Sequence, residues 1–169
     1  MRRVMLSLIL FIASMCVFAQ NELLIATVEA EGGEQSALRL LVREPRVVVL
    51  KSYEWNMVFD TQGAQRLSAM LEQGLDYFRL VQSEGVTINV RKSIGSMDTS
   101  DSKMCQVLFE NRRRADTNHS FVDLYYFEHT NSRDPSVIRL TEEDLGELVA
   151  ALDSSQQALD DLERQLALF

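Results

Sequence analysis

Arg112-Arg113-Arg114 is the only run of three basic residues in the chain, and Tyr125-Tyr126-Phe127 follows on the next extended stretch. Guanidinium groups beside aromatic rings can hold a nucleic acid, a phosphate or an anionic glycan, because the cation pairs with the anion while the ring stacks. Arg112, Arg113, Arg114 and Tyr125 are therefore the candidate anion- or partner-binding residues. Three charges at the end of a hairpin strand also guard a sheet edge against aggregation, a reading that needs no ligand.

Other spellings point to weaker chemistry. Asp98-x-Ser100-x-Ser102 matches the DxSxS of a metal-ion-dependent adhesion site, where carboxylate and hydroxyl oxygens suit Mg²⁺. Such a site needs a loop between a parallel strand and a helix, whereas this stretch lies between two expected antiparallel strands and reads as a solvated loop. His119 and His129 stand at no metal-holding spacing from Cys105 or a carboxylate. No G-x-S-x-G elbow, glycine-rich phosphate loop or zinc spacing occurs, so no catalytic set, metal or cofactor is assigned. Asn118-His119-Ser120 spells a glycosylation acceptor, read as chance in a bacterial chain. The acids Glu142, Glu143, Asp144 and Glu147 open a helix, where they complement its dipole rather than form an acid–base pair.

The N-terminus bounds where these residues work. Arg2 and Arg3 precede an apolar run over 4–12, broken only by Ser7, and Val17-Phe18-Ala19 places small residues before Gln20. That is the layout of a secretory signal peptide over 1–19, so the chain is expected to be exported, periplasmic or secreted. Met15 fits poorly ahead of a lipidated cysteine at Cys16. About 150 residues remain, enough to bury a core without staples. The leader carries two of the 17 basic residues and none of the 25 acidic ones, which leaves 15 against 25 and a formal charge of −10. Such a surface repels phosphate backbones at long range, which disfavours nucleic acid as a partner unless the positive charge is clustered. Cys105 remains as the one cysteine, so no internal disulfide forms, and its alternation with Val107 and Phe109 predicts an inert core thiol.

Two stretches of strand-like alternation each end in a helix. The first has strands over 22–29, 37–43, 46–51 and 53–59, with a turn at Gly32-Gly33 and an aromatic face of Tyr53, Trp55, Met57 and Phe59 that should be buried. Asp60 caps a helix over 61–80 whose apolar residues recur at spacings of three and four. The second has strands over 86–91, 104–112, 121–129 and 137–140, with a polar loop over 95–102 and a turn over 115–118. Thr141 then caps a helix, with Asp144 close to a capping-box partner. The fold class is α+β: two ββββα-like pseudo-repeats of antiparallel strands packed with helices, over 20–84 and 85–169.

Strands that run straight into a capped helix, Arg139-Leu140-Thr141-Glu142-Glu143-Asp144-Leu145 above all, resemble the ββββα unit of the Whirly, PC4-like and PUR-type single-strand-binding proteins. The resemblance covers most of the mature chain in outline, carries no family motif, and transfers no site residue. It implies a single-stranded nucleic-acid binder as the alternative to the leading expectation, an exported, non-enzymatic protein that binds a partner protein or small ligand.

Leu145, Leu152, Leu159 and Leu166 lie seven apart, with Leu148, Leu162 and Phe169 in companion positions. That seam covers about 25 residues and about 37 Å of helix, longer than a four-stranded sheet is wide. Three outcomes are open: a break at Asp153-Ser154-Ser155, a homodimer seam through Leu152, Leu159, Leu162 and Leu166, or a tail that covers the sheet of the other half.

Overall fold

Alternating apolar and polar residues build eight strands, and each group of four is closed by a helix. The computed structural model describes residues 22–30, 37–128 and 134–168. The leader, the Gly32-Gly33 turn and His129 lie outside the described residues. The first sheet is β1 (Glu22–Glu29), β2 (Ala37–Arg43), β3 (Val47–Lys51) and β4 (Asn56–Asp60), followed by helix α1 (Thr61–Ser83). The second is β5 (Val90–Asp98), β6 (Met104–Arg114), β7 (Thr117–Phe127) and β8 (Ser136–Leu140), followed by α2 (Glu142–Leu166). Both sheets are antiparallel meanders in sequence order. The α+β class and the repeated plan are what the alternation predicts.

Each helix starts where a strand ends on an oxygen-bearing side chain. The Asp60 carboxylate accepts from the Gly63 N–H at 2.6 Å. Thr141 and Asp144 form a full capping box: the Asp144 N–H donates to Thr141 Oγ1 and the Thr141 N–H donates to Asp144 Oδ2. Aspartate fills the place that glutamate or glutamine usually takes.

Three expectations are corrected, and one of the outcomes open for α2 is removed. The fourth strand starts at Asn56 instead of 53, because the Ser52 N–H donates to the Trp55 carbonyl at 2.8 Å and closes a turn. Tyr53 is thereby left 80% exposed, while Trp55 stays buried. The fifth strand covers Val90–Asp98, so most of the expected strand over 86–91 is irregular and much of the expected loop is strand. A bulge between Ser93 and Gly95 interrupts the alternation that would have revealed it. Residues 86–88 are held instead by side chains: their carbonyls accept from Asn118 Nδ2, Arg113 Nη1 and Asn111 Nδ2. The hairpin between β6 and β7 turns on Ala115-Asp116 alone, with Ala115 at φ 52°, so both strands are longer at that end than expected. Finally, α2 is unbroken through Asp153-Ser154-Ser155.

The packing of that helix settles where its length goes. It lies mainly on β1 and β2, the strands of the other half, and α1 reaches across to β5 and β6 besides β4. The helices also pack on each other, with Ser68 Oγ donating to Asp153 at 2.7 Å. One apolar cluster runs through both halves, from Leu38, Leu50 and Phe59 to Phe109, Leu124 and Leu148. Trp55 stacks on Tyr126 across the same boundary, with ring centroids 5.1 Å apart. The two halves share a core rather than own one each. Among the described residues, no helix is long and apolar enough to cross a membrane.

Candidate binding face on the second sheet

The pleat sorts the second sheet into two faces. Cys105, Val107 and Phe109 of β6 and Val122, Leu124 and Tyr126 of β7 enter the core. Gln106, Leu108, Glu110, Arg112 and Arg114 of β6 point the other way, and so do His119, Phe121, Asp123, Tyr125 and Phe127 of β7. Register then sets neighbours: Arg91 opposite Glu110, Glu110 opposite Phe121, Arg112 opposite His119, and Asp123 opposite Arg139.

The outward residues form a lattice of guanidinium groups, carboxylates and rings. Arg139 lies over the Phe121 ring at 3.7 Å and binds Asp123 through two hydrogen bonds, of 2.9 and 3.1 Å. Arg112 lies over the same ring at 5.1 Å and pairs with Glu110 at 2.7 Å. Arg91 approaches the other Glu110 oxygen at 3.5 Å and donates to the Tyr125 hydroxyl at 3.3 Å. Tyr125 in turn stacks on Phe127, with centroids 6.3 Å apart. Phe121 is buried although it faces outward, because two arginines lie on it.

Charge is distributed unevenly between the elements. Strands β5 to β8 carry Arg91, Lys92, Arg112, Arg113, Arg114 and Arg139 against Asp98, Glu110 and Asp123, six to three. Helix α2 carries eight acidic residues and one basic residue. The net negative charge of the chain therefore coexists with a locally positive sheet.

Of the four residues singled out by sequence, Arg112, Arg114 and Tyr125 share this face. Arg114 is exposed at the hairpin end, on the rim of an open groove that Arg91, Glu110 and Arg112 also line. Arg113 is drawn aside: its guanidinium donates to the Ala115 and Thr87 carbonyls and pairs with Asp116, and its N–H donates to Asn89. It clamps the hairpin to the 87–89 segment. Arg91, Phe121 and Arg139 were missed by sequence reasoning. Only strand register brings them to Arg112, and the bulge in β5 hides that register.

The remaining candidates take structural places. Leu152, Leu159 and Leu162 are buried within the chain and Leu166 is half-buried against the same cluster, so the proposed dimer seam is covered by the chain's own core. In the DxSxS segment, the Ser100 N–H donates to the Val58 carbonyl and Ser100 Oγ accepts from the Asp60 N–H, which closes the free edge of β4. Burial would raise the Asp101 carboxyl, but hydrogen bonds from Thr99 and Lys103 outweigh it and hold the group below its ordinary value. Ser102 adopts a positive φ of 62° in this tight loop.

Cys105 is fully buried, and loss of hydration pushes its thiol up to about 12. The native thiol is expected to resist iodoacetamide at pH 8 and to react only as fast as the chain opens, a rate that mass spectrometry follows. The sign of the linkage follows from the raised value. Above about pH 9 the unfolded thiol ionises and the folded one does not, so stability attributable to this group falls as pH rises from about 9 to about 12. A Cys105→Val variant should lose that component of the alkaline decline in urea titrations.

Compared with known proteins, the chain matches no family model, no curated protein and no solved structure.

Proposed function

We propose that the chain is a non-enzymatic binding protein that takes an anionic ligand on the outer face of its second sheet, and that the leader read in its sequence exports it. The observation that carries this reading is the lattice of Arg91, Arg112 and Arg139 with Phe121 and Tyr125 on one sheet face of a net-acidic chain. Cations held flat against rings present N–H groups outward, which suits oxyanions and planar groups alike. Carboxylates already hold these arginines in place, so an incoming anion exchanges with Glu110 instead of ordering a loose side chain.

A second reading, single-stranded nucleic acid as that ligand, is favoured by the confinement of surplus positive charge to the strands that also carry the rings. The outline likeness to Whirly, PC4-like and PUR-type units points the same way. Fluorescence anisotropy at low salt, with a labelled single-stranded 20-mer and separately with heparin, tests both. An Arg112→Ala/Arg114→Ala variant is expected to bind about tenfold more weakly. If the 20-mer is the ligand, two lost phosphate contacts should reduce the salt slope by about 1.4. Arg113 is left in place because it holds the hairpin. No anisotropy change with the 20-mer at micromolar protein removes the nucleic-acid reading, and no change with either probe removes the anion site.

A further inference from the structure

The first sheet has a cleft of its own, of ≈ 180 Å³, lined by Ala37, Arg39, Lys51, Ser52 and Tyr53. Register places Arg39 directly opposite Lys51 on neighbouring strands. Like charges in that position oppose sheet formation unless something neutralises them. Elsewhere in the strands Arg43, Arg91, Arg112, Arg113 and Arg139 each have a carboxylate partner, and Lys92 and Arg114, which have none among the described residues, stand opposite Phe109 and Thr117 and not opposite another cation. Arg39 and Lys51 have none among the described residues. Ser52 is only 8% exposed, and its N–H is taken by the Trp55 carbonyl. Ser52 lines the same cleft, and its side chain makes no hydrogen bond among the described residues. Tyr53 completes the wall with the ring that the 52–55 turn leaves standing in solvent. Guanidinium and ammonium can only donate, and the two hydroxyls can donate as well. Two cations and two hydroxyl-bearing side chains on one small cleft, in a net-acidic chain, are complementary to an oxyanion.

We propose that this cleft binds a phosphate-type oxyanion, either as the free ion or as the phosphate of an aromatic monoester whose ring stacks on Tyr53. It is separate from the face on the second sheet and does not depend on that reading. The test uses the full chain in phosphate-free buffer at low ionic strength, titrated with inorganic phosphate and, in a second arm, with phenyl phosphate. Amide resonances and the melting temperature are the readouts. Phosphate is expected to shift the Ser52 and Tyr53 amides first and to raise the melting temperature with dose. Arg39→Gln and Lys51→Gln should each weaken phosphate binding about tenfold. Neither should lower the phosphate-free melting temperature, because each relieves a like-charge pair. Tighter binding of phenyl phosphate that disappears in Tyr53→Ala assigns the site to the ester, and equal affinity for both probes assigns it to the free ion. Unchanged affinity in Arg39→Gln and Lys51→Gln, or shifts centred on Arg91 and Arg112 instead, would overturn the proposal.

Discussion

A chain ending at Asp153 is expected to be unfolded or aggregated, not a folded monomer. The deleted residues include Ser155, Leu159 and Leu162, all buried, and the half-buried Leu166. Each fully buried leucine contributes about 1.5–3 kcal/mol by leaving water, so Leu159 and Leu162 together contribute about 3–6 kcal/mol. The loss does not stop there, because α2 packs on β1 and β2 and its missing turns carry Asp160 and Glu163, which pair with Arg46 at the β2–β3 turn. Val28, Leu38, Leu40 and Val42 lie on the inner face of those strands and are fully or almost fully buried. Domains of this size have about 5–15 kcal/mol in total, so uncovering that face removes most or all of it. Circular dichroism with light scattering checks the outcome. A soluble, cooperatively melting monomer would show that the second half of α2 does not belong to the core.

Phe109→Ala is the point substitution with the largest expected effect. The ring is 1% exposed on β6, where α1 crosses the second sheet. Phe78 meets it edge-on at 5.4 Å and 84°, and Tyr77 meets it at 5.4 Å and 37°. Truncation leaves a cavity between a strand of one half and the helix of the other, and both walls are rigid elements that close poorly over it. The expected cost is about 3–5 kcal/mol, or on the order of 10 °C in melting temperature. Urea unfolding measures it. A cost below about 1 kcal/mol would mean that α1 does not cross β6 as described.

Sequence and structure part ways at identifiable residues. Asp60 and Thr141 announce their helices because an N-cap is a local signal, readable from neighbours three positions away. Leu38, Leu40 and Val42 announce β2 because period two holds without interruption. Strand β5 carries no such signal, because Lys92-Ser93-Ile94-Gly95-Ser96 is mostly polar and bulged, so neither composition nor period marks it. At Gly95 the tertiary packing is close: a Cβ would stand 2.6 Å from Met70 Sδ on α1, and that flexible side chain would have to move. The leucines of α2 show that one side of the helix is covered, but a seven-residue spacing fits a second molecule and a distant sheet equally well. On the binding face, Arg112 and Tyr125 were legible as types within a cluster. Arg139 was not, because its link to Phe121 and Asp123 depends on strand pairing that no local pattern encodes.

The trading of helices between the two halves has a consequence for how the polypeptide comes into being. Strands β1 and β2 are made before the helix that packs on them, whose leucines follow only after all eight strands. The early half can gather no lasting tertiary structure until α2 is made, and its native contacts with that helix are far apart in sequence. Such a molecule stays pliable until its second helix is made and then closes in one late event. Its assembly is set by the tail, and a stop codon a few turns early is expected to waste everything made before it.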